Sequence, residues 1–136
     1  MKMSVFSYIV DGVMIDTGPP KTVNTTLHVI EKNPIQAVLL THHHEDHTGA
    51  SCELTKVGIQ QWIHPLGLQI CAKPPRLPFS RKFFWGKRHS FQALPLENSY
   101  STQHYTFEVI HTPGHAFDHC CFYVPEKNGY FQVIYM

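Results

Sequence analysis

The chain has 136 residues, the size of one domain, and its 43% hydrophobic and 12% aromatic content excludes a disordered polypeptide. Its ten opening residues, MKMSVFSYIV, hold too brief an apolar run for a signal peptide or a membrane span, so a cytoplasmic protein is expected. The net charge of +1 says little by itself, but no Asp or Glu lies between Leu54 and Leu96, where seven cations fall, and the other four cations face all ten acids.

In chain order, VFSYIV, Asp11-Gly12 and VMID read as a β-hairpin, because Asp-Gly suits the positive φ values of a type I′ turn. Residues 22–33 predict a helix with Val23, Leu27 and Ile30 on one face, stopped by Pro34. IQAVLL, 35–40, is a short apolar run of the kind found in a buried strand. GASCELTK, from Gly49, opens a second helix, and VGIQQWI, 57–63, predicts a strand ended by His64-Pro65. Residues 71–90, rich in Pro, aromatics and cations, read as an irregular insert or lid. TFEVI (106–110), HCCFYV (119–124) and GYFQVIYM (129–136) predict three further strands. No repeat or linker divides the chain, so one mixed α/β domain over 1–136 is expected. Cys52, Cys71, Cys120 and Cys121 form no CxxC pair and are expected as reduced thiols, with Cys120 and Cys121 on opposite faces of a strand.

THHHEDHTG, 41–49, follows the buried strand at once and packs four histidines and two carboxylates into nine residues. Alternate residues of an extended turn point the same way, so His42 and His44 can reach one metal while Asp46 and His47 turn toward a neighbouring one. His115, just past a strand on a Pro-Gly turn, is a third candidate for the first metal. Imidazole nitrogen and carboxylate oxygen are ligands of catalytic zinc, and manganese or iron would accept the same set. A chance-binding polar loop is the bland alternative, but such loops sit at termini, and this one is matched by a second histidine loop downstream. His43 is expected to face away, His111 and His119 to support the site, and His28, His64, His89 and His104 to be surface or locally bonded residues.

These motifs resemble the metallo-β-lactamase superfamily. HHHEDH is similar to its HxHxDH signature, VMIDTG to its strand-ending Asp-Thr-Gly, and HTPGHAFDH to its TPGH loop, in the family's order. The resemblance implies that His42, His44 and His115 hold the first zinc, that Asp46 and His47 hold the second, and that Asp16 braces the loops without being a ligand. His119 matches a position often filled by His in the glyoxalase-II-like branch. The implied fold is an αββα sandwich, of which this chain is the N-terminal part. The implied activity is hydrolysis of a small-molecule ester, thioester, lactone, β-lactam or phosphodiester by metal-activated water, with Asp46 as the catalytic residue.

The family pattern also needs a bridging Asp in a Gly-Asp pair and a later His, and this chain has no Asp after Asp118 and no His after His119. Removing a single nucleotide from codons for Phe-Ser-Gly-Asp-Leu-Tyr can yield Phe-Gln-Val-Ile-Tyr, the tail at 131–135. A truncated chain is therefore expected, exposing an apolar sheet face and a strand edge through which it would self-associate. A zinc-binding remnant without activity is one alternative. The other is a nuclease-like RNA binder, since RKFFWGKRH (81–89) mixes cations with Phe83, Phe84 and Trp85. The preferred reading of that insert is a lid whose aromatics pack down while Lys and Arg stay solvated or attract an anionic substrate.

Overall fold

The computed structural model describes residues 4–73, 76–127 and 129–131. Two sheets pack face to face, and helices cover the outer side of the first. Strands β1 (Tyr8–Val10) and β2 (Val13–Ile15) form the expected hairpin, with φ of 50° at Asp11 and 77° at Gly12 in its turn. Strand β2 then pairs in parallel with β3 (Ala37–Leu40), β3 with β4 (Gln60–Ile63), and β4 with the short β5 (Leu94–Pro95). Parallel neighbours need crossovers, and helices α1 (Val23–Lys32) and α2 (Ser51–Lys56) provide the first two. The second sheet is an antiparallel meander of β6 (Ser99–Ser101), β7 (Thr106–His111), β8 (Cys120–Val124) and β9 (Gly129–Phe131). The part of the last expected strand at 132–136 lies outside the described residues.

The period-2 alternation of strands sorts side chains into two cores. Val13, Ile15, Ala37 and Leu39 point between the sheets and meet Leu96, Phe107, Cys120, Phe122 and Val124. Met14, Val38 and Leu40 point the other way and meet Leu54, Ile63, Cys71 and Phe91, with Leu27 and Ile30 of α1 packed against them. The fully buried AVLL run of β3 thus serves both cores. Cys120 and Cys121 do face opposite sides, and all four cysteines are free thiols. On the outer face of the second sheet, register places Ser99, Ser101, Thr106, Glu108, Ile110, Cys121 and Tyr123. That face is more polar than an unfinished sandwich predicts, with Ile110 as its exposed aliphatic side chain.

The insert 71–90 departs from expectation. It follows α3 (Leu68–Cys71) and contains a helix, α4 (Phe79–Trp85). Pro78 stands just before that helix, and Gly86 leaves it at φ 94°, a conformation that favours glycine and stops a helix. Nor do all the cations stay in solvent. Arg88 is 1% exposed, and its guanidinium donates to the carbonyls of Ile70, Cys71, Lys73 and His89 at 3.1–3.3 Å. Carbonyls at the end of a helix have no partner within it, and Arg88 satisfies those at the end of α3 from a stretch that the sequence marks only as basic.

Gly49 is where the histidine loop crosses the segment after β2. Its N–H donates to Gly18 O at 2.8 Å, and a Cβ there would collide with the backbone of Gly18, Pro19 and Pro20. Gly49→Ala should therefore cost about 1–3 kcal/mol and lower the melting temperature by roughly 3–10 °C, read by thermal denaturation. An unchanged melt would show that the two segments separate without cost.

Candidate metal centre

The centre forms where parallel strands β2 and β3 end side by side, with Ile15 opposite Leu39. Beyond that pair the chain leaves β2 at Asp16, which takes a φ of 57°. Asp tolerates this left-handed region better than most residues. The turn drives its carboxylate, fully buried, beneath the histidine loop. Oδ1 accepts the Thr41 backbone N–H at 2.8 Å, and Oδ2 accepts the Thr41 hydroxyl and the His47 Nδ1–H, each at 2.7 Å. Thr17 extends the stitching: its N–H donates to His47 O at 2.7 Å, and its Oγ1 accepts from Ala50 N at 3.1 Å.

These bonds fix tautomers. The Thr41 hydroxyl has one proton and gives it to Asp16, so its oxygen accepts from His42 Nδ1 at 3.0 Å. His42 therefore carries its proton on Nδ1 and presents a bare Nε2. That Nε2 lies 3.1 Å from His44 Nδ1, which lies 3.1 Å from His115 Nε2. The ligand nitrogens of His42, His44 and His115 all fall within 4.8 Å of one another. A tetrahedral ion with nitrogens at 2.0–2.1 Å sets them about 3.3 Å apart, so the three imidazoles fit a metal ion and could hold one.

Electrostatics favour the same use. Burial, then the neighbouring His47, His44, His119 and His115, hold His42 far below the ordinary imidazole range. Burial, then His43 and Arg81, push His44 down to about 3. His115 is lowered too, chiefly by burial and then by His119 and His47. Neutral imidazoles are the form that binds metal.

Beside this set sit Asp46 and His47. The His42 and His47 rings lie 4.3 Å apart, and His47 Nε2 is 3.5 Å from Asp46 Oδ2. Burial lowers His47, but the charge and hydrogen bond of Asp16, with Asp46 and Glu45, outweigh it and leave the group raised. Burial raises Asp46 against the pull of His47. Among the described residues, Asp46 Oδ2 is buried and accepts no hydrogen bond.

The second loop arrives from the other sheet. Thr112 N donates to His119 O, which closes this loop, and Cys120 N donates to Thr41 O, which ties it to the first, both at 2.8 Å. His43 faces away, as expected, and its partner is Asp118. The fully buried Asp118 carboxylate accepts His43 N at 3.0 Å and His43 Nδ1 at 2.7 Å. It lies against Gly67, where a Cβ would strike it. His119 is buried beside His42, 5.2 Å between rings, with Nδ1 2.8 Å from Thr112 Oγ1. His111 instead bonds Phe117 O and stacks on His64 at 4.1 Å.

Two residues of the site escaped the sequence reading. Asp118 is one; its signal was an acid set inside a histidine loop. Arg81 is the other. It grips Glu45 between two ligand candidates, at 2.7 Å from Nε to Oε1 and from Nη2 to Oε2. With Arg88 also buried, two of the four Lys and Arg residues invoked for RNA binding are engaged within the protein, leaving Lys82 and Lys87.

Residues 2–131 match the metallo-beta-lactamase superfamily. The chain belongs to that superfamily. It is 31% identical to thioesterase pkgB of Emericella nidulans, over 88% of this chain and 31% of that protein. It is 32% identical to a hydroxyacylglutathione hydrolase of Hydrogenovibrio crunogenus, over 83% of this chain and 36% of that enzyme. The structure superposes on TTHA1623, solved in a di-iron-bound form, with a TM-score of 0.69 and 28% identity, over 93% of this chain and 65% of that one. The chain thus spans about a third of the length of these curated relatives.

Asp16→Asn keeps the shape of the brace but sets an amide donor among three donors. It should destabilise the metal-free protein by about 2–4 kcal/mol in urea denaturation. A loss below about 0.5 kcal/mol would show that Asp16 does not hold the loops.

Proposed function

We propose that this chain is the zinc-binding part of a metal-dependent hydrolase acting on a small-molecule ester or thioester. The observation that carries the reading is the convergence of His42 Nε2, His44 Nδ1 and His115 Nε2 as neutral groups, with the His42 tautomer set by Asp16 through Thr41. In this reading the three histidines hold one cation, and Asp46 with His47 contributes to a second. Manganese or iron suits the same donors. A bound cation would supply Lewis acidity and a water-derived nucleophile near neutral pH.

The protein's own part is orientation and proton handling. Asp16 keeps His42 and His47 with their Nδ1 atoms protonated and their Nε2 atoms forward. Asp118 removes His43 from the ligand set and anchors the second loop, so that His115 is presented from the opposite sheet. Asp46 is the proposed catalytic residue: its buried Oδ2 is a proton acceptor beside the histidines, with the proton affinity that burial gives it. The thioesterase and hydroxyacylglutathione hydrolase names of the relatives support a thioester as the first substrate class to try. No helix among the described residues is long and apolar enough to cross a membrane, and the four free cysteines suit a reducing cytoplasm. Self-association through a strand edge of the β6–β9 sheet belongs with this reading, and size-exclusion chromatography tests it.

The test is metal content per chain, by elemental analysis of wild type and His115→Ala, followed by a thioester screen. About one to two zinc ions per chain, falling below about one in the variant, is expected. Wild-type protein that retains no zinc, manganese or iron would overturn the reading. Metal retained without turnover of any ester or thioester would leave a metal-binding module and overturn the enzyme.

A further inference from the structure

Glu45 stands between the ligand candidates His44 and Asp46, yet its carboxylate is 2% exposed and turned toward the insert. There it meets Arg81 of α4 in a two-pronged pair, both contacts at 2.7 Å, across 36 residues of sequence. Arg81 is 38% exposed, so the insert side of the pair faces water and the loop side does not. A buried carboxylate stripped of its cation is an uncompensated charge, which a loop relieves by opening to solvent. The loop that would open carries His42, His44, Asp46 and His47.

The dependence runs the other way as well. Helix α4 has seven residues, too few to persist alone. It has little apolar anchorage, since Phe79, Phe83 and Phe84 are 84%, 64% and 56% exposed. Its polar ties lead back to the centre by two routes. One is Arg81 to Glu45. The other is Lys21, whose ammonium donates to Phe83 O and lies 5.5 Å over the Phe83 ring. Lys21 follows Gly18-Pro19-Pro20, the segment bonded to Gly49 at the end of the histidine loop. Gly86 closes against the same segment, where a Cβ would sit 3.2 Å from Pro20 Cβ.

We propose that Arg81 is a positioning residue for the metal centre, and that its grip on Glu45 couples docking of α4 to order in the ligand loop. This rests on the reading that the loop binds metal. Metal binding orders the loop, which fixes Glu45 and draws α4 down, and by linkage a docked α4 strengthens metal binding to the same degree. The fork geometry is specific to arginine, because lysine offers a point charge where Glu45 accepts two parallel bonds.

The experiment uses the whole chain and zinc alone. Zinc affinity is read by competition with a chromophoric chelator, and amide hydrogen exchange is followed over residues 79–86 with and without zinc. In wild type, zinc should slow exchange across α4. Arg81→Ala should bind zinc about 10–100-fold more weakly and lose the zinc-induced protection, with Arg81→Lys between the two. Should Arg81→Ala fail to fold, the paired variant Glu45→Gln/Arg81→Met removes both charges and leaves no lone buried one; it should fold and yet show no effect of zinc on α4. Wild-type affinity in folded Arg81→Ala, zinc-dependent protection persisting in the paired variant, or no effect of zinc on α4 in wild type would each overturn the coupling alone. Wild-type protein that binds no zinc would overturn both this inference and the functional reading.

Discussion

The centre depends on one buried carboxylate. Asp16 is fully enclosed, leaves β2 in a left-handed turn, and accepts three hydrogen bonds from Thr41 and His47. Two consequences follow from the same atoms. The bonds clamp the ends of β2 and β3 beyond the last paired residues, so the histidine loop starts from a fixed point. They also dictate which nitrogen of His42 and of His47 carries the proton, which fixes what each ring can offer. A carboxylate so placed is costly unless its acceptors are filled. Here every donor that fills them belongs to the loop it positions. Fold and site are therefore one arrangement at this point, which is why the brace sits in the strand-ending Asp-Thr-Gly and not in the ligand motif.

The second constraint is the joint between sheets. His42 and His44 come from the first sheet and His115 from the second. Their approach to 3.1 Å reports the packing of Val13, Ile15 and Leu39 against Phe107, Cys120 and Phe122. Two contacts carry that packing into the loops. Cys120 N reaches Thr41 O, and Asp118 holds both the backbone and the ring of His43. His43 is not a spare ligand. It is the handle by which one loop holds the other, and its turn away from the cluster leaves His42 and His44 together on the near side.

What the sequence disclosed was local. Asp11-Gly12 told its turn because only a few residues accept two successive positive φ values. The AVLL run at 37–40 told its strand because nothing polar interrupts it, and HxHxDH marked its ligand candidates because alternate residues share a side. The insert was misjudged for a reason of the same kind. Its prolines and mixed aromatics hide a helix that rests on tertiary ties at Arg81 and Lys21 and has little apolar packing of its own. Asp118, Arg81 and Arg88 were missed because their partners lie 75, 36 and up to 18 residues away in the chain. No periodicity encodes such pairings. The one trace was the segregation of charge, an acid-free stretch set against a loop rich in acids, which signals attraction without naming the pair.

The distribution of satisfied and unsatisfied groups carries the last step. This end of the molecule buries Asp16, His42, Glu45, Asp46, His47, Asp118 and His119 in close company, a set that folding by itself would avoid. Asp16 is matched to His47 and Thr41, Asp118 to His43, and Glu45 to Arg81, each by bonds of 2.7–3.0 Å. The exception is Asp46 Oδ2, which accepts no hydrogen bond among the described residues and lies beside the converging nitrogens of His42, His44 and His115. An arrangement that answers three buried carboxylates and leaves an oxygen of a fourth open beside three converging imidazoles has one electrostatic gap at this end of the molecule. A cation there would answer that gap, and this local inconsistency is what would make the centre bind.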